Sequence, residues 1–224
     1  MHLYYTEVAF MNTFEKCLVG LLIAVYSHCL WAKDVANTNN DEPELIQLYT
    51  QDELNSLIGE NKHLERIKLD ECQFTRDIRD RAQVLQYPAY LYLWADMNFT
   101  DTCIKGNVKD GVDALKLAAE KGMPAALYKL GGFYLTGKYV QADYNVAYRH
   151  IYQAAALGND DAKLTLVNLL ATHDGNEADY GEAYSMLLRV VFRDKKKHDL
   201  AETLLAELRK KMPASEVAKA EAMR

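Results

Sequence analysis

The stretch DYNVAY at 143–148 returns as DYGEAY at 179–184, 36 residues further along the chain, and this recurrence decides the fold. The same step carries Gly122 to Gly158, Ala126 to Ala162, Leu130 to Leu166 and Ala147 to Ala183. One step earlier, Pro88-Ala89 maps onto Pro124-Ala125, Trp94 onto Leu130 and Gly111 onto Ala147. Three units therefore tile residues 88–123, 124–159 and 160–195. A period in the thirties marks a solenoid of helix pairs, because each unit buries its apolar face only against its neighbours.

The spacing inside a unit agrees. Residues 125–134 place small and apolar side chains at i, i+3 and i+4, which predicts a packed helix. TGKYVQAD then breaks it, with Gly137 as the stop and Asp143 as the N-cap of a second helix. That helix carries Ala147, Ile151, Ala154 and Ala155 on one face and ends at Gly158, a C′ glycine. Asp179 takes the place of Asp143 in the next unit. Alanines on these faces let neighbouring helices approach closely. The expected fold is an all-α solenoid, extended at the N-terminus by helices within 49–87 and closed by capping helices within 196–224. In the extension, Thr50 and Glu53 form a capping box. Gly59 ends the short helix they start, and a second helix is expected over about 69–86, stopping before Pro88. In the tail MPASEVAKAEA, Glu216, Lys219 and Glu221 supply the polar outer face that a terminal unit needs.

Composition narrows function. Half of the 224 residues are apolar and 26% are charged, an ordinary globular balance. The net charge of -6 argues against a nucleic-acid grip, which needs a basic surface. The run CLVGLLIAVYSHCLWA at 17–32 follows Lys16. It is too short to span a bilayer, which takes roughly 20 apolar residues, and suits a secretory leader over 1–32, with Met11 as the expected initiator. An acidic segment over 33–48 follows. Cleavage would remove Cys17 and Cys29 and leave Cys72 and Cys103, which in an exported protein read as one disulfide.

No catalytic, cofactor or metal site is expected. His63, His150, His173 and His198 show no ligand spacing, and no nucleophile elbow or phosphate loop occurs. Asp160 and Asp161 are expected to cap the helix after Gly158 rather than to work as paired acids. Charge is uneven: residues 33–60 hold seven acidic side chains against Lys33, and residues 193–211 hold seven Lys or Arg against four acids. This is either a solvated surface with an acidic extension or two ends that face different partners, with complementarity steering assembly.

The set Leu130-Gly131, Tyr134, Gly137, Asp143, Ala147, Ala154-Ala155, Gly158 and Ala162 resembles the Sel1-like repeat, a relative of the tetratricopeptide repeat. The pattern is strong in the second unit and degenerate in the first and third, where Gly111 and His173 replace the usual residues. Upstream, YTQDELNSLIGENKHLERIKLDECQF at 49–74, followed by PAYLYLWADM and Sel1-like units behind a leader, is similar to the MotX family of sodium-driven polar flagellar motor proteins. That resemblance covers about residues 48–222. It implies a non-enzymatic periplasmic component of the basal-body T ring, with protein partners: MotY and, on the PomA–PomB stator, PomB. It implies no nucleic acid and no membrane span in the mature chain. The contacts are then expected from residues 33–87 and the groove of the first helices. The alternative is a periplasmic Sel1-repeat adaptor serving another envelope machine.

Overall fold

The computed structural model describes residues 49–172 and 176–222. The leader, Met11, the loss of Cys17 and Cys29, the acidic segment 33–48 and His173 lie outside these described residues. Within them the chain forms eleven α-helices and no strand. In order they are α1 (Gln51–Gly59), α2 (His63–Leu69), α3 (Thr75–Gln83), α4 (Pro88–Thr100), α5 (Val108–Glu120), α6 (Pro124–Thr136), α7 (Tyr144–Ala156), α8 (Asp160–Thr172), α9 (Tyr180–Leu188), α10 (Lys195–Lys211) and α11 (Ala214–Ala222). A single 3-10 turn, Glu177–Asp179, precedes α9.

The 36-residue step is visible in these boundaries. The first helices of the units start at Pro88, Pro124 and Asp160, and the second helices at Val108, Tyr144 and Tyr180. Proline at the first helical position of α4 and α6 costs nothing, because that N–H has no intrahelical partner. Thr100, Thr136 and Thr172, also 36 apart, each donate a hydroxyl hydrogen bond to the carbonyl four residues back, at 2.7, 2.8 and 2.6 Å. Asn107 and Asp143 cap α5 and α7 through their side-chain oxygens. Gly122 and Gly158 follow these helices with φ of +78° and +96°, the left-handed backbone that closes a helix. Asp101 takes that conformation at the place of Gly137.

Each unit packs its two helices together, α4 on α5, α6 on α7 and α8 on α9. The second helix of one unit then packs on the first helix of the next, α5 on α6 and α7 on α8. Ala126, Leu130, Ala147, Ala162, Leu166 and Ala183 are all buried in these seams. A leucine such as Leu166 contributes about 2 kcal/mol by leaving water. Glycines in these seams mark close approach: a Cβ on Gly111 would lie 2.7 Å from the Phe99 ring of α4, and Gly131 is similarly tight. A Cβ there would lie 2.7 Å from Ile151 Cγ1 and 3.2 Å from the Ala147 carbonyl oxygen.

Two local expectations are corrected. The helix anticipated over about 69–86 is confined to α3 (Thr75–Gln83), and an unanticipated helix, α2 (His63–Leu69), precedes it; Glu71 and Cys72 adopt positive φ and turn the chain between them. The cap of α8 is Asn159, whose Oδ1 accepts from the Ala162 N–H at 2.8 Å. Asp160 and Asp161 lie in the first turn, where their charges still suit the helix dipole. They pair instead with Lys163 and Lys197.

At the ends, α1, α2 and α3 all pack on α4, whose residues from Ala89 to Asn98 are buried. Helix α10 packs on α8 and α9, and α11 on α9, turning Val217 and Ala220 inward. Glu216 and Lys219 face solvent.

The adjacent glycines of α6 should separate cleanly by substitution. Gly131→Ala is expected to cost about 1–3 kcal/mol through overpacking. Gly132→Ala, with no atom within 4 Å of its added Cβ, should be neutral or stabilising by about 0.5–1 kcal/mol. Urea unfolding of both variants checks this, and equal losses would contradict it.

Candidate partner-binding face

The first helices of neighbouring units, and α10 after the last of them, are stitched together at steps of 36 or 37 residues. Lys129 Nζ donates to Tyr92 Oη at 3.3 Å, the Tyr128 and Thr165 hydroxyls share a hydrogen bond at 3.2 Å, and Lys197 pairs with Asp161. Along this face, Asp96, Gly132 and Asn168 occupy equivalent positions. Asp96 is 3% exposed, whereas Gly132 has open space above it and Asn168 is exposed. The face is thus covered at α4 and open from α6 onward.

What covers Asp96 on this face is the start of α2, which the sequence inserts between α1 and α3. His63 opens it, 1% exposed, with Nε2 2.8 Å from Asp96 Oδ2 and its ring edge-on to Tyr92 at 5.6 Å. Lys129 reaches the other carboxylate oxygen of Asp96, and its Nζ lies 4.7 Å from the centre of the Tyr92 ring. One buried carboxylate therefore holds the extension and two successive units together. Removing an anion from between two such donors leaves uncompensated buried charge, which costs far more than an exposed pair. Burial, and then the Asp96 charge, push the Tyr92 phenol well above its usual range, so it stays neutral. Among the described residues, the buried His63 Nδ1 and Trp94 Nε1 have no hydrogen-bond partner.

The Cys72–Cys103 disulfide adds a covalent tie between the turn joining α2 to α3 and the loop after α4. Both half-cystines, with Glu71 and Asp101 beside them, are left-handed, a conformation that costs non-glycine residues about 1 kcal/mol or more each. In the chain-entropy model a loop of this length stabilises by roughly 3–4 kcal/mol.

On the second helices, tyrosine hydroxyls reach carboxylates of later elements. Tyr148 donates to Asp179 at 2.6 Å, Tyr152 to Glu182 and Tyr184 to Glu221. Asp179, the repeat equivalent of Asp143, makes no capping bond; its carboxylate accepts from Tyr148 instead. The hydrogen bond to Glu182, with burial and the Glu182 charge, pushes Tyr152 up to about 12.

The repeat residues singled out from sequence, Gly122, Ala126, Leu130, Asp143, Ala147, Gly158, Ala162, Leu166, Asp179 and Ala183, are spread along the array and form no single cluster. Cys72 and Cys103 are brought together. His150 stacks on Tyr134 at 5.8 Å, and burial, then Arg149, lower its pKa. His198 lies 3.3 Å from Glu202 on the surface. Among the described residues no three His, Cys, Asp or Glu side chains gather as metal ligands. Sequence reasoning missed the His63–Asp96–Lys129 cluster. Its signal was the lone carboxylate in the otherwise apolar PAYLYLWADM.

Asp96→Ala should destabilise the fold by about 3–5 kcal/mol, and Lys197→Ala, which breaks an exposed pair, by under about 1 kcal/mol. Denaturant midpoints decide between them; similar losses would refute the central place of Asp96.

No family model matches the chain. A curated relative, the sodium-type polar flagellar protein MotX of Vibrio parahaemolyticus serotype O3:K6 (strain RIMD 2210633), is 37% identical over 175 residues, covering 78% of this chain and 83% of the relative. Two solved structures are similar. One is c5321, a protective antigen of uropathogenic Escherichia coli with an SLR fold (TM-score 0.46, 25% identity, 59% of this chain, 28% of that one). The other is a Sel1 repeat protein from Oxalobacter formigenes (TM-score 0.38, 27% identity, 62% of this chain, 35% of that one). This chain spans about a third of the length of each. Identity at this level across more than three quarters of the sequence is a family relationship, and the chain belongs to the MotX family of sodium-type polar flagellar proteins.

Proposed function

We propose that this protein is a periplasmic scaffold in the basal-body ring of the sodium-driven polar flagellar motor, where with MotY it recruits and holds PomA–PomB stator units. The observation that carries this reading is the 37% identity to the flagellar MotX protein. Membership of that family makes the chain a flagellar motor component rather than an enzyme. A solenoid supports a scaffolding role, because stacked helix pairs present an extended surface to other proteins. No helix among the described residues is long and apolar enough to cross a membrane. Sodium then passes through the stator, and this chain acts by binding. PomB is the expected stator contact, and residues 33–87 with the face that opens beyond α4 are the expected contact regions.

Deleting the gene should leave polar flagella assembled but non-rotating, or poorly formed, with tagged PomB no longer gathered at the flagellated pole. Normal swimming in sodium medium with PomB still in place would overturn the proposal.

A further inference from the structure

The third unit breaks the rule that the first two obey. Helices α5 and α7 each run for 13 residues, but α9 stops after nine, at Leu188. In the first two units the missing turn carries an alanine pair, Ala118-Ala119 and Ala154-Ala155, each residue no more than 4% exposed. The equivalent pair here is Val190-Val191, and Asp194 stands where Gly122 and Gly158 stand. Two adjacent β-branched residues weaken the helix, and they are bulkier than alanine at a seam built for close approach. The chain leaves the helix instead. Val190 and Phe192 pack partly buried against the core, and Val191, at the position of two buried alanines, is 88% exposed.

The segment is also unpartnered along its backbone. The Val190 N–H closes the end of α9 on the Leu187 carbonyl, but the N–H groups of Val191, Phe192 and Arg193 find no acceptor among the described residues. The inward, outward, inward order of residues 190–192 is the two-residue alternation of an extended strand. Positive charge surrounds it. Arg193, Lys195 and Lys196 are exposed, and no described carboxylate lies in ion-pair range of any of them. By contrast, Lys197 pairs with Asp161, and Asp194 caps α10. An exposed valine, backbone N–H groups without a described acceptor and three exposed cations therefore meet on one short segment.

We infer that residues 190–193 are a docking edge for an extended, acidic segment of a partner protein. The partner's backbone pairs with the N–H groups of Val191 and Arg193, which share one edge of an extended segment, a small apolar side chain covers Val191, and its carboxylates meet Arg193, Lys195 and Lys196. This inference rests on the motor-scaffold reading and assigns one binding element within it.

The test uses the purified full chain and polar basal bodies isolated from cells that lack it, with binding read by co-sedimentation. The double substitution Val191→Asp, Arg193→Glu should weaken binding at least tenfold without moving the melting temperature, while Val191→Leu binds like the unaltered chain. Binding of the unaltered chain should fall as salt is raised. If the double variant binds as well as the unaltered chain, the inference is overturned. A variant that binds weakly and also melts lower defers to Val191→Ser, whose full binding would likewise overturn it. Two other occupants are read in parallel. Charge-dependent binding to vesicles of phosphatidylethanolamine and phosphatidylglycerol, lost in the double variant, would assign the edge to a membrane. A dimer in sedimentation velocity that the double variant dissolves would assign it to a second copy. Either result overturns the partner-protein inference. Failure of the unaltered chain to bind basal bodies refutes the motor reading itself, and is distinct from all of these.

Discussion

The closeness of helix to helix, repeated every 36 residues, is the constraint on which the rest of the structure depends. A unit of two short helices cannot enclose a core, so its stability is the stability of its contacts with the units before and after. Those contacts, and the ones that join the two helices of a unit, need small residues at fixed places, as Gly111 against Phe99 and Gly131 against Ile151 and Ala147 show. Alanines at 118–119 and 154–155 set the same spacing on the second helices. Once this register holds, the prolines, threonines and caps fall at matching helix ends, and the solenoid follows from repetition.

An array of this kind has two ends, and the chain treats them differently. At the C-terminal end, α10 and α11 cover the last unit with a largely polar exterior. At the N-terminal end the closure is tighter and more specific. Helix α2 lies over α4, His63 and Lys129 converge on Asp96, and a disulfide joins the α2–α3 turn to the first unit. Asp96 is thus a single buried charge on which the extension, the first unit and the second unit all converge. The consequence for function is geometric. The face of the first helices is occupied by the chain itself at α4 and is open from α6 onward.

The architecture was legible where physics is local and repeated. The step from Pro88 to Pro124, the Asp143 cap and the glycines after α5 and α7 need only spacing and backbone preference to be understood. What depends on distant residues was not legible. Nothing near His63 in the sequence indicates Asp96, 33 residues away, and nothing near Asp179 indicates that Tyr148 occupies its carboxylate. The break between α2 and α3 was hidden for a related reason. Glu71 and Cys72 take left-handed backbone that neither residue favours, in a turn joined by the disulfide to the loop after α4. The shortened α9 is an intermediate case. Valines at 190 and 191 in place of the alanine pair are plain in the sequence, but their meaning emerges only when Val191 is found facing solvent.

The chain is a helical-repeat protein of the MotX family, capped at both ends of its array, with the first-helix face covered at α4 and open from α6 onward. The most direct measurement is quantitative mass spectrometry of salt-washed polar basal bodies purified from the native cell. The account predicts that this chain is retained in fixed ratio to MotY. Basal bodies that retain MotY and yet contain none of this chain would contradict it.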